Sequence, residues 1–300
     1  MAHPDHELPA IQLDPFRIET AAGFRLTDFQ TGHAAPTTID KTSAKSLLQA
    51  GIERLNEHQE RLYADATWSV LIVLQAMDAG GKDSMVKHVM SGLNPQGISV
   101  TSFKAPGREE LAHDFLWRVS KALPARGMIG VFNRSHYEEV VVTRVKPALL
   151  EQQGLPIPLC GGSTFWNQRL EDIANFERYL ARQGTVVLKF FLHISKEEQK
   201  SRLLKRLDDP AKHWKFDVGD LDDRGRWDEY MDAYGQAIMA TATPDAPWFV
   251  VPADQKWFAR LVVVQAINDA LARLQFRVPD PSPEASKEFT AAREKLLNQD

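Results

Sequence analysis

Ser69-Val-Leu-Ile-Val-Leu-Gln-Ala-Met-Asp-Ala-Gly-Gly-Lys-Asp-Ser84 contains the change of rhythm that decides the fold. Val70 to Leu74 is an unbroken apolar run, the pattern of a strand buried on both faces of a parallel sheet. Met85 to Met90 then continues as a helix. Between strand and helix stand two glycines and a lysine. Glycines at such a junction let backbone N–H groups turn inward as an anion-binding nest. The helix N-terminus adds partial positive charge, and Lys82 adds a full one. The spacing approximates the phosphate-loop pattern G-x-x-x-x-G-K-[ST], with Ala76 at the first glycine position, Asp83 at the hydroxyl position and Ser84 one place late. A Gly-Gly turn followed by a solvated lysine is the competing reading. Ala79, Gly80, Gly81, Lys82, Asp83 and Ser84 are thus candidate phosphate binders. Asp78 is a candidate metal ligand, because a bare carboxylate repels phosphate unless a cation intervenes. Helix capping is the alternative for Asp78 and Asp83.

Outward from this stretch, strand-like and helix-like segments alternate. Strands are expected at Gly97 to Phe103, Met128 to Phe132, Thr185 to His193 and Trp248 to Val251. Helices are expected at Asp40 to Ala66, Arg108 to Lys121, from near His136, and at Phe165 to Arg182, Lys196 to Leu207, Asp222 to Ala240 and Trp257 to Leu274. This alternation predicts an α/β fold, a mainly parallel sheet covered by helices on both faces. Residues 1–66 read as an N-terminal arm and an amphipathic helix packing on the core, 67–278 as the main α/β domain, and 279–300 as a linker with a charged helix or tail.

At 300 residues, 43% hydrophobic and 25% charged, the chain can bury a large core without disulfide or metal staples. Cys160 is the only cysteine, so Cys-rich zinc sites are excluded, and no activating motif surrounds it. A net charge of −4 argues against general nucleic-acid binding, so any polyanion must be met by a local basic patch. Met1 to Glu7 lacks both a basic and an apolar leader region, and Val70 to Leu74 is too short to cross a bilayer. A cytoplasmic location without membrane association is the expectation.

A second polar cluster follows the apolar strand Met128 to Phe132: Asn133-Arg-Ser-His-Tyr-Glu138. Ligands gather at the carboxyl ends of strands in open parallel sheets, so this cluster should face the phosphate loop. Asn133 can hold a metal or its water, Arg134 is a bidentate phosphate clamp, and His136 is either a phosphate donor or a packed loop histidine. Lys87, Lys104 and Arg108 could extend a positive track, with solvated surface charge as the alternative for each. Lys200, Arg202, Lys205, Arg206, Lys212 and Lys215 form a basic run in which Arg202 and Arg206 share a face at i,i+4 spacing.

Taken in order, Asp78-Ala-Gly-Gly-Lys82, Phe132-Asn-Arg-Ser-His-Tyr-Glu138, Lys189-Phe-Phe-Leu-His-Ile-Ser195, Leu207-Asp-Asp-Pro210, Trp214-Lys-Phe216 and Ala246 to Trp257 resemble the family 2 polyphosphate kinases over about Thr67 to Leu274. The resemblance implies a P-loop fold of thymidylate-kinase type, a three-layer α/β/α arrangement with a five-stranded mainly parallel sheet. It also implies a helical lid over about 196–226, to which Arg202 and Arg206 belong. It implies reversible transfer of phosphoryl groups from inorganic polyphosphate to AMP and ADP, assisted by Mg2+ or alternatively Mn2+ held at Asp78 and Asn133. Asp78, Lys82, Asn133, Arg134 and Glu138 are the implied catalytic set. Asn133 and Glu138, where members restricted to diphosphates usually carry Asp and Arg, are similar to the subgroup accepting both mono- and diphosphates. A homo-oligomer, dimer or tetramer, is implied as well. Two competing readings are an ATP-dependent nucleoside monophosphate kinase and a non-catalytic P-loop module that binds nucleotide or polyphosphate. The first would ordinarily carry a full phosphate-loop motif, and the second would leave the lid idle.

Overall fold

A computed structural model describes residues 11–32, 39–160, 164–277 and 281–299. The expected linker residues 279 and 280, the glycines after Cys160, and the first ten residues of the arm lie outside the described residues. Six strands form one sheet: β1 (Arg17–Ile18), β2 (Ser69–Gln75), β3 (Ile98–Ser102), β4 (Ile129–Asn133), β5 (Thr185–His193) and β6 (Trp248–Pro252), in the order β1-β6-β5-β2-β4-β3. The five long strands are parallel and β1 alone is antiparallel, Arg17 facing Phe249. The count of five is therefore corrected to six. Part of the arm is a short edge strand, too brief to leave a periodic signal, that covers the otherwise open edge of β6.

Every residue of β2 is buried, with Val70 to Leu74 at 0% exposure, as an apolar run in a central strand requires. Val70 lies between Ile129 of β4 and Val186 of β5, and this shared register brings the carboxyl ends of β2, β4 and β5 to one side. The helices Lys41–Asp65 and Lys256–Ala272 pack on each other, and the second also packs on β5, β6 and the helix Lys82–Val89. The helices Phe165–Arg182 and Trp227–Thr241 pack together as a second layer.

Local chemistry sets the ends of these elements. The first helix starts at Asp40, whose carboxylate accepts from the Thr42 and Ser43 amides, and stops at Ala66 in a left-handed conformation (φ 50°). Arg108 to Lys121 is two short helices, Arg108–Leu111 and Trp117–Lys121, because the Asp114 side chain takes the Leu116 amide and turns the chain between them. The helix expected from Asp222 is likewise divided into Gly219–Gly225 and Trp227–Thr241, with Gly225 at the junction. His136–Glu139 is a single 3-10 turn capped by Ser135.

Candidate active site

The loop between β2 and the helix Lys82–Val89 has the conformation of an anion nest. Ala79 (φ 59°) and Gly81 (φ 110°) are both left-handed, and the Gly80 amide closes a turn on the Met77 carbonyl at 2.9 Å. A side chain at Gly80 would meet the Ala76 Cβ at 2.5 Å and the Met77 carbonyl at 2.7 Å, so only glycine fits. Arg134, just past β4, is the other non-glycine residue of this region in a left-handed conformation (φ 63°). Such strain persists only where the surroundings impose it. Here the Arg134 amide donates to the Leu74 carbonyl at 3.1 Å, tying the two strand ends together.

Lys82 curls over the loop, its Nζ donating to the Ala76 carbonyl at 2.6 Å and more weakly to that of Met77 at 3.4 Å. Burial first, and the Arg134 guanidinium second, push its pKa down to about 8, against the pull of Asp78, Glu138 and Asp83. Arg134 bridges two carboxylates, donating to Asp78 Oδ1 at 3.0 Å and to Glu138 Oε2 at 3.4 Å. Glu138 above all, with Asp78, holds it firmly protonated against burial. Asn133 Nδ2 donates to Asp83 Oδ1 at 2.8 Å, which leaves the Asn133 amide oxygen for another ligand. Lys82, Asp78, Asp83, Asn133, Arg134 and Glu138 thus converge at the ends of β2 and β4.

Two expected phosphate contacts, His136 and Arg202, are corrected. His136 is 1% exposed, its ring packed against Tyr137 and Phe176 and its Nε2 3.3 Å from Glu177 Oε1. The turn that begins at Ser135 sends it inward, away from the loop. Arg202 is also buried, and its guanidinium is consumed by protein acceptors. Nη1 donates to the Ala79 and Gly80 carbonyls at 3.1 and 2.9 Å, Nη2 to those of Ala253 and Asp254, and Nε to Glu198. It braces the phosphate loop from behind. Arg206 binds Asp220 Oδ2 at 3.1 Å and the Lys215 carbonyl at 3.0 Å, holding together the segment that follows the helix Lys196–Leu207. Lys87 and Lys104 are exposed, and Ser84 Oγ accepts from Arg260 at 3.0 Å.

Several supporting residues escaped sequence reasoning. Gln199 is fully buried and donates to the Asp78 carbonyl at 3.0 Å. Behind the Arg134 turn lies a buried charge network. Lys189 Nζ donates to Glu177 Oε2 at 2.5 Å and to the Thr241 carbonyl at 2.7 Å, and the Tyr137 hydroxyl donates to Glu177 Oε1 at 2.8 Å. A lone lysine inside the apolar strand Thr185–His193 was the available signal, since a buried ammonium demands a partner. Asp220 is pushed up to about 6 by burial and by Asp78, with Arg206 opposing. Among the described residues no group of three His, Cys, Asp or Glu side chains could hold a metal by itself, and no helix is long and apolar enough to cross a membrane.

Known proteins fit this geometry. A crystal structure of polyphosphate kinase 2 from Arthrobacter aurescens superimposes with a TM-score of 0.83 and 41% sequence identity, covering 96% of this chain and 100% of that one. An ADP-polyphosphate phosphotransferase of Rhodopseudomonas palustris is 47% identical over 267 residues, 87% of this chain and 92% of its own length. An AMP/ADP-polyphosphate phosphotransferase of Meiothermus ruber is 43% identical over 272 residues, 91% of this chain and 97% of its own. The family model for polyphosphate kinase 2 (PPK2) matches residues 38–278. By family model, sequence identity and superposition alike, the chain belongs to the polyphosphate kinase 2 family.

Proposed function

We propose that this chain transfers phosphoryl groups from inorganic polyphosphate to AMP and ADP, giving ADP and ATP, and that the loop Asp78–Lys82 and the turn Asn133–Glu138 carry the reaction. The observation that supports it best is the convergence of Lys82 and Arg134 on the same strand ends, with Arg134 held by two carboxylates and still 43% exposed at its side chain. Phosphoryl transfer needs alignment and charge neutralisation more than covalent help. The acceptor's terminal phosphate is already anionic at neutral pH, so a general base is dispensable. Repulsion between two polyanions is the chief obstacle.

The chain's own cations meet that obstacle. The backbone amides of Ala79 and Gly81 and the Lys82 ammonium grip the donor phosphates, while the Gly80 amide holds the loop's turn on the Met77 carbonyl. Arg134 clamps the group in flight. Asp78 and the Asn133 amide oxygen would hold a divalent cation, Mg2+ or Mn2+. The donor set fits, since such ions take one or two protein oxygens and complete their shell with phosphate and water. When bound, it would add charge neutralisation on the phosphates. Glu138 faces the acceptor and favours the shorter, less charged monophosphate. A cleft of ≈ 310 Å³ lined by Thr101, Phe103, Lys104, Glu110, Arg118 and Lys121 opens on the β4–β3 side and suits that acceptor. Residues 196–226, with Arg206 on Asp220, act as the lid that excludes water; the catalytic domain is 67–278 and the enzyme works as a cytoplasmic homo-oligomer.

The test is purified protein with Mg2+, AMP and long-chain polyphosphate in the absence of ATP. ADP followed by ATP is the expected product series. Turnover only when ATP is added would replace the proposal with an ATP-driven nucleotide kinase.

A further inference from the structure

Lys82 and Arg134 stand on different loops, and phosphoryl transfer needs both cations in a fixed relation to one moving group. The strand pairing that ties the loops together ends at Leu74 and Asn133. Beyond it, Gln75, Ser135 and Tyr234 continue the connection as buried polar side chains, 0%, 0% and 3% exposed. The Tyr234 hydroxyl, from the helix Trp227–Thr241, faces the Ala76 carbonyl at 3.2 Å and Gln75 Oε1 at 3.4 Å. Gln75 Nε2 donates to Ser135 Oγ at 3.1 Å, and the same oxygen accepts the Tyr137 amide at 3.2 Å. The Ala76 carbonyl also receives the Lys82 ammonium at 2.6 Å. A path of hydrogen bonds therefore runs from Lys82 through Ala76, Tyr234 and Gln75 to Ser135, the neighbour of Arg134. Burial first, and then the Glu138 and Asp78 carboxylates, raise the Tyr234 pKa well above the usual range against Arg134, so its hydroxyl stays a donor. The ring is held separately, centred 4.4 Å from that of Phe191 on β5.

We propose that Tyr234, acting through Gln75 and Ser135, is a positioning residue that sets the Lys82 ammonium in register with the Arg134 guanidinium. Its hydroxyl fixes the carbonyl on which Lys82 rests. The Gln75 amide passes the same constraint to the turn that presents Arg134. An ammonium has three protons, and the Ala76 and Met77 carbonyls take two of them, so orienting Ala76 aims the third. With so little exposure, Gln75, Ser135 and Tyr234 present no surface to a bound phosphate, and their effect is on alignment alone. The inference rests on the polyphosphate reading of the same site.

The test compares Tyr234→Phe, Gln75→Met and the double variant in ATP formation from ADP and long-chain polyphosphate. Tyr234→Phe keeps the ring on Phe191 and loses only the hydroxyl. In each single variant kcat should fall roughly 10- to 100-fold, the usual consequence of a displacement near ~1 Å at a reacting centre. KM for ADP and for polyphosphate should stay within about two-fold. The unfolding midpoint should stay within about 4 °C, the ordinary effect of one lost hydrogen bond in a chain of this size. The double variant should lie no more than about two-fold below the worse single, because residues that act as a unit are not additive. If Gln75→Met yields no folded protein, Ser135→Ala takes its place in the cycle. With an active parent, a Tyr234→Phe kcat within about two-fold of parental overturns the proposal, and so do losses that multiply in the double variant. A rise in KM that accounts for the whole loss also overturns it, since the hydroxyl would then act on substrate binding. These outcomes leave the polyphosphate reading standing, whereas a parent protein that makes no ATP from any polyphosphate overturns that reading and the proposal with it.

Discussion

Replacing Lys189 by Met should damage the fold more than any single surface change, although Lys189 touches no substrate. Its ammonium is 0% exposed and is bound by Glu177, the Tyr137 hydroxyl and the Thr241 carbonyl. Glu177 is 1% exposed. Burial alone would raise the Glu177 pKa, but Lys189 and His136 reverse that and hold its carboxyl below the usual range. Met fills similar volume and takes away the charge, stranding an anion in the interior. Removing one partner of a buried pair costs about 3–5 kcal/mol. For a domain of this size each kcal/mol moves Tm by roughly 2 °C, so a fall of about 6–10 °C is expected. Replacing both partners (Lys189→Met with Glu177→Leu) leaves no orphan charge and should recover more than half of the loss. Thermal and urea unfolding of the two single variants and the double variant measure this directly, and the double-mutant cycle isolates the coupling. A single-variant loss below about 1 kcal/mol, or a double variant no better than Lys189→Met, would refute the reasoning, since either result means the pair is not holding a stranded charge.

The pH profile offers a second check. With a free-enzyme pKa of about 8, Lys82 discharges as pH rises, so kcat/KM for polyphosphate should fall through that value. A bound polyanion stabilises the ammonium, so the corresponding fall in kcat should lie at higher pH. Lys82→Arg should abolish the limb, and a parent profile flat to pH 9.5 would contradict it. Gly80→Ala should lower kcat at least 100-fold with little change in unfolding midpoint, because its methyl group would sit 2.5 Å from the Ala76 Cβ and spread the loop; near-normal kcat would mean the loop is freer than its contacts imply. Arg202→Ala removes the brace on the Ala79 and Gly80 carbonyls and should depress kcat and thermal stability together, while Arg202→Lys restores stability better than kcat. A variant that loses only polyphosphate KM would reassign Arg202 to the substrate.

The fold was legible where the sequence carries a period or a punctuation mark. The apolar run at Val70, the glycines at 80 and 81, and the polar cluster after Phe132 each correspond to one local environment: the run is the central strand β2, and the glycines and the polar cluster lie past the ends of β2 and β4 as expected. Arg17–Ile18 left no trace because two residues have no periodicity; the pairing that defines them belongs to β6. Basic residues were harder to place. Arg202, His136 and Lys87 look alike in a sequence as titratable groups near a phosphate loop, and only their surroundings separate them. Arg202 is spent on carbonyls and His136 on Glu177, whereas Lys87 is exposed and has no salt-bridge partner among the described residues. Those partners lie far away along the chain, where spacing does not reach. Glu177 and Lys189 show the same point from inside: the helix and the strand each carry one charge that makes sense only beside the other.

The central claim is that the Lys82 ammonium, set over the loop at Ala76 and Met77, grips the phosphates that react. Its most direct test is the rate of ATP formation from ADP and long-chain polyphosphate by Lys82→Met, in protein whose unfolding transition matches the parent. A fall in kcat/KM of at least 1,000-fold, or roughly 4 kcal/mol of lost transition-state stabilisation, is expected. A folded Lys82→Met protein that makes ATP at the parental rate would contradict the account.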